Sequence, residues 1–185
     1  GSYQKDSPMT SLGRRFSALV LVLLLPLLLL SRAHAAAGAY EAELPAELAT
    51  ARDLCALVPC KDVFPGATHF SERKGQPPYV EAYDQASEPR KLLGYVMLST
   101  DITDTPAYSG KPVVTLIGMD TQGHFVGVKV LKHSEPILLL GIPESALLNF
   151  NAQYLGKSVA DKIEVGPSRP DENVIGLDAI SGATV

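Results

Sequence analysis

Residues 124–133 constrain this chain more than any other stretch. Val126, Val128 and Val130 alternate there with Phe125, Gly127, Lys129 and Leu131. Strand side chains switch face at every residue, so this period predicts a half-buried strand with its valine face turned inward. Just before it, Asp120-Thr121-Gln122-Gly123 places Asp first and Gly last, as a type I turn prefers. Residues 113–119 supply a second apolar run, opened by Gly110-Lys111-Pro112. The two runs predict a β-hairpin. Residues 79–83, bounded by Pro77-Pro78, and residues 92–99 predict two more strands.

Two segments have helical spacing. Over about 45–58, Pro45 and Glu47 suit a helix start, and Leu48, Ala51, Leu54 and Cys55 recur at i, i+3 and i+4. Over 143–155, Pro143 and Glu144 open the segment and Gly156 stops it. Leu147, Phe150 and Tyr154 share a face there, with Leu148 and Leu155 beside it, which reads as core packing. From Gly156 to Val174-Ile175 the chain reads as a polar loop. The sum is an α+β fold: a mainly antiparallel sheet with helices packed on it.

The first 35 residues stand apart from this domain. Residues 1–8 read as a cloning scar or an upstream extension, with Met9 a native start. Arg14-Arg15, an apolar run over 16–30 and Ala33-His34-Ala35 follow the order of a basic region, an apolar region and a small-x-small cleavage site. The run contains Pro26 and is shorter than the roughly 20 residues a membrane span needs. A signal peptide over 9–35 is therefore expected, with an uncleaved anchor as the alternative, and an exported domain over 36–185. The whole chain carries a formal charge of -4, and losing Arg14, Arg15 and Arg32 leaves the remainder more acidic. No cluster of Lys and Arg follows, which argues against a nucleic-acid partner. Cys55 and Cys60 flank Pro59, so a tight loop could join them in a disulfide in an oxidising compartment; two buried thiols are the alternative. The four histidines are scattered, and no metal site and no catalytic constellation is expected.

The chain ends Asp178-Ala179-Ile180-Ser181-Gly182-Ala183-Thr184-Val185. This resembles the D-x-x-S-G-A-T signature of flavinylated proteins, in which the last Thr is esterified by the phosphate of FMN. Each fixed residue type makes up roughly 5–9% of ordinary chains, so the five coincide by chance about once in a million starting points. The chemistry fits these types. Thr184 offers the hydroxyl that accepts the phosphoryl group. Gly182 and Ala183 are small enough to admit a bulky flavin near the backbone. The Ser181 hydroxyl and nearby backbone N–H groups suit phosphate oxygens, and Asp178 suits recognition or turn formation. Nothing beside Thr184 resembles the base, Mg²⁺ cage or nucleotide loop that phosphoryl transfer requires, so a separate flavin transferase is expected as a partner.

Further segments carry the resemblance: Val63-Phe64-Pro65-Gly66-Ala67, Gly94-Tyr95-Val96, Tyr108-Ser109-Gly110-Lys111-Pro112, Gly118-Met119-Asp120, and His133-Ser134-Glu135-Pro136 running on to Gly141-Ile142-Pro143-Glu144. From about Leu54 onward the chain resembles the FMN-binding domain shared by NosR-like proteins and the small subunits of the Rnf and Na⁺-pumping NADH:quinone oxidoreductase complexes. The pump subunits have H-x-E-T-P-G-L-G where this chain has H-x-E-P-I-L-L-x-G-I-P-E, which resembles NosR. The resemblance implies a periplasmic electron-transfer flavoprotein domain that supports nitrous oxide reductase in denitrification. It implies covalent FMN on Thr184, contacts to the ring from His133, Glu135 and Pro136, and more weakly from Tyr108 and Lys111. The implied redox partner is nitrous oxide reductase or one of its maturation proteins. Membrane attachment is implied through a C-terminal part that lies beyond Val185 in the family, so the chain resembles a fragment. Two other readings remain open: an FMN subunit of an ion-pumping redox complex, and a non-redox periplasmic regulatory module.

Overall fold

The computed structural model describes Gly1, Ser2 and residues 43–180. The chain divides into two compact units, Gly1–Ala39 and Tyr40–Val185. Of the first, Gly1 and Ser2 are described and both are exposed; the segment expected as a signal peptide over 9–35 lies outside the described residues. Among the described residues no helix is long and apolar enough to cross a membrane.

The second unit is built on a five-stranded antiparallel meander: β1 (His69–Phe70), β2 (Val80–Tyr83), β3 (Leu92–Leu98), β4 (Val114–Asp120) and β5 (Phe125–Lys132), side by side in chain order. The four expected strands are β2 to β5, and the α+β class stands. The expected hairpin joins β4 to β5. Gly123 donates its N–H to the Asp120 carbonyl at 3.2 Å, and Asp120 Oδ1 accepts from the N–H groups of Gln122 and His124 at 2.9 and 2.8 Å. Gly123 sits at φ +87°, where a side chain would be strained.

The two faces of this sheet differ. On one, Val80, Ala82, Val96, Leu98 and Leu116 are buried against Leu54, Val63 and Phe64 and form the main core. Here α1 (Cys60–Val63) lies almost on the strands. Gly118 pairs with Gly127 across β4 and β5, and a Cβ on either would fall 2.2 Å from the Val63 carbonyl oxygen. The glycine pair makes the flat place on which α1 rests. A disulfide joins Cys55 to Cys60, Cα–Cα 5.3 Å, and secures the turn leading into α1.

The opposite face of β4 and β5 carries Thr115, Ile117, Val128 and Val130 toward a cavity. The valine stripe is only partly inward: Val130 is buried and Val128 half-buried, but Val126 is exposed. Gly118 pairs with Gly127 and the next residue, Met119, pairs with Phe125, so Val126 is the extra residue of a bulge and leaves the alternation.

The helix expected over 45–58 is replaced by two 3-10 turns, Ala46–Ala49 and Leu54–Ala56. A continuous helix needs the carbonyls of Leu48, Ala51 and Arg52 for its own ladder. The Arg73 guanidinium takes the first two at 2.8 and 3.5 Å, and the Arg73 N–H takes the third at 2.7 Å. Asp53 Oδ1 then captures the Ala56 N–H at 3.1 Å. Arg73 also pairs with Asp101 at 2.6 Å, with both side chains almost wholly out of solvent.

After β5 come α2 (Pro136–Leu139), which has no counterpart in the sequence expectation, and α3 (Glu144–Ala152), shorter than the expected 143–155. The presumed polar loop after Gly156 contains a strand. β6 (Lys162–Val165) pairs in parallel with β7 (Val174–Leu177) as a separate two-stranded sheet. Its Glu164 is held by Arg169 at 2.6 Å, and its alternation of Lys162, Ile163, Glu164 and Val165 runs over only four residues.

Candidate functional site

A cavity of about 360 Å³ lies between the outer face of β4–β5 and α3, within the size range of small-molecule sites. Thr115, Ile117, Val128 and Val130 form its floor. Leu147, Phe150 and Tyr154 form its roof, so this helix face lines a cavity instead of the solid core expected for it, while Leu148 and Leu155 are exposed. Phe125 and Phe150 meet the Tyr154 ring edge-on at 5.9 and 5.8 Å, fixing an aromatic corner. Burial raises the Tyr154 pKa.

One side wall is the irregular segment between β3 and β4, through Pro106, Ala107 and Pro112. Its tip is a turn closed by Ala107 N–H to the Lys111 carbonyl (3.0 Å) and Gly110 N–H to the Ala107 carbonyl (2.9 Å), with Gly110 at φ +77°. Its base is held by Ser99, whose hydroxyl donates to the Val113 carbonyl at 3.1 Å and accepts from the Thr115 N–H at 3.0 Å.

His133 and Glu135, predicted as ligand contacts, both line the cavity, and they are 5% and 1% exposed. β5 ends at Lys132, and the extended residues before α2 turn both side chains inward. His133 Nδ1 accepts from the Glu135 N–H at 3.4 Å, which leaves the proton of the neutral ring on Nε2. Burial holds the His133 pKa below its ordinary value, against an opposing pull from the Glu135 carboxylate. Glu135 Oε1 in turn accepts from the Ser109 N–H at 3.4 Å, which ties the wall turn to the site.

The remaining predicted residues divide. Pro136 opens α2, is exposed and is not part of the cavity wall; Tyr108 and Lys111 are exposed on the wall turn whose neighbours Ala107 and Pro112 line the cavity. Asp178 is exposed just past β7, and its backbone is gripped by the Gln153 side chain. Ile180 lines the cavity. Ser181, Gly182, Ala183 and Thr184 lie outside the described residues. Gln153, Ser99 and the buried Asn151 were not anticipated; the first two bond backbone groups distant in sequence, and no local pattern marks any of the three. Among the described residues, no group of three or more His, Cys, Asp or Glu is placed to hold a metal ion.

Fold and cavity define a class: an α+β domain that sets a ligand-sized, largely apolar cavity between its sheet and a helix. Known proteins sharing this sequence narrow that class. The chain is 45% identical over 95 residues, 51% of its length, to regulatory protein NosR of Stutzerimonas stutzeri. It is 41% identical over 123 residues, 66% of its length, to regulatory protein NosR of Pseudomonas aeruginosa, and 30% identical over 95 residues to protein NirI of Paracoccus denitrificans. The chain is thus NosR-like. It spans only 13–16% of the length of these relatives. No family model matches it.

Proposed function

We propose that this chain is the covalently flavinylated, periplasmic electron-transfer domain of a NosR-like membrane protein that supports nitrous oxide reduction. The observation that carries the reading is the meeting of two stretches far apart in sequence at one cavity. His133 and Glu135 line it from beyond the end of β5, and Ile180, inside the flavinylation signature, lines it from beyond the end of β7. Thr184 follows Ile180 by four residues, a chain length of at most about 14 Å, so a phosphate on its hydroxyl can deliver a ring to the cavity.

The residues present fit the group. A flat aromatic ring system needs apolar walls and a few fixed polar contacts; Ile117, Val128 and Phe150 offer the first, and His133, Glu135 and Asn151 the second. FMN, when bound, supplies the redox chemistry. The chain does the rest. Its apolar walls exclude water. His133, kept neutral by burial, lines the site without adding a formal charge. Glu135 fixes the wall turn through Ser109. Thr184 carries the phosphoester, formed by a separate flavin transferase. The signal peptide over 9–35, the periplasmic setting, and a redox partner such as nitrous oxide reductase or its maturation proteins belong to the same proposal.

Intact mass spectrometry tests it. Coexpression with a flavin transferase is expected to add the mass of FMN less one water to the wild-type chain and nothing to Thr184→Ala. An unmodified wild type, or a gain that survives in Thr184→Ala, overturns the reading.

A further inference from the structure

We infer that Gln153 is a positioning residue that aims the flavin-bearing segment at the cavity; this rests on the function proposed above. Gln153 sits in the turn that ends α3, directly before Tyr154 in the cavity roof. Its Nε2 donates to the Asp178 carbonyl at 3.0 Å, and its Oε1 accepts from the Asp178 N–H at 2.8 Å. A carboxamide that bonds both backbone groups of one residue copies the paired bonds of an antiparallel strand partner. One bond would leave the chain free to swivel, whereas two fix its direction.

The placement gives that direction its meaning. Asp178 is the first residue after β7 and the first of the signature, and Ile180, two residues on, already lines the cavity. β7 ends with Leu177 buried, so the height of the segment is set by packing. The Gln153 clamp then sets the heading with which the chain leaves β7 toward Ile180. Because the phosphoester would keep FMN on the chain in any case, loss of the clamp is expected to appear as a loosened ring and not as a lost cofactor.

Gln153→Met keeps the length of the side chain and removes both bonds. Two readouts apply: amide hydrogen exchange in the unflavinylated chain, and iodide quenching of flavin fluorescence in the flavinylated chain. Two such bonds are together worth about tenfold in local opening, so Asp178 amide exchange is expected to speed up by about that factor while amides of β4 and β5 keep their protection. Iodide access to the flavin is expected to rise several-fold. If Gln153→Met also disturbs β4 and β5, Gln153→Ala, which removes both bonds without filling the space, is measured in its place with the same expectation. Unchanged Asp178 exchange overturns the clamp. Faster exchange with unchanged iodide access overturns the positioning role and leaves a merely structural contact. A wild-type chain that takes no FMN sinks the proposed function, and the positioning role with it, while the exchange result still reads the clamp.

Discussion

A methyl group at residue 127 would meet the Val63 Cα at 2.4 Å and its carbonyl oxygen at 2.2 Å. These are backbone atoms of α1 and cannot rotate aside as a side chain can. Gly127→Ala is therefore expected to lose stability at the upper end of the about 1–3 kcal/mol typical of overpacking. Urea denaturation reads the loss, with Gly66→Ala, where a Cβ meets nothing within 4 Å, as the neutral control. His133 carries a different residue-scale expectation. Its folded pKa is depressed by burial from an ordinary 6.5. Below that value the unfolded chain binds a proton that the folded chain refuses, so its contribution is complete above pH 6.5 and is lost as pH falls toward the folded pKa. Denaturation curves across this window should show a falling limb that His133→Phe flattens. His133 and Glu135 were legible in the sequence because they sit together in one recognisable string; Ser99 and Gln153 were not, because what they bind is backbone from other elements.

Among elements, the first 3-10 turn of the domain, Ala46–Ala49, is held from outside by one guanidinium. Arg73 bonds carbonyls of Leu48 and Ala51 and pairs with Asp101 beside the cavity wall. Burial pushes the Asp101 carboxyl up, and Arg73 opposes that push. Removing Arg73 alone strands a buried acid, so Arg73→Met is expected to cost about 3–5 kcal/mol. Adding Asp101→Asn should return part of that loss, and a double-mutant cycle in urea measures it. The same guanidinium explains why this region was misread. Helical spacing of Leu48, Ala51, Leu54 and Cys55 was real, but a competitor more than twenty residues away took the carbonyls. Strands β2 to β5 were legible because their apolar runs and turn residues act locally. β6 was not, since its partner β7 lies beyond a loop and its four residues are too short a run to show a period.

At the scale of the whole molecule, the meander works as a partition between two chemistries. The main core, secured by the Cys55–Cys60 disulfide and α1, lies on one side; the cavity under α3 lies on the other. The sequence showed that a sheet would form and marked β2 to β5, though not the two-residue β1 at its edge. It did not show that the helix face of Leu147, Phe150 and Tyr154 stands over a hollow, because an apolar stripe looks the same whether it meets packed side chains or a space. Nor did it show that the signature would begin against that hollow, since this follows from how β7 docks and not from spacing.

Alternation along β4 has a consequence for anyone redesigning this domain. Leu116 and Gly118 belong to the packed side, and Thr115 and Ile117 to the hollow one, so the two sets interleave residue by residue. A library confined to the odd-numbered positions can reshape the chamber while leaving the foundation intact, whereas a single frame slip would trade one set for the other and ruin both.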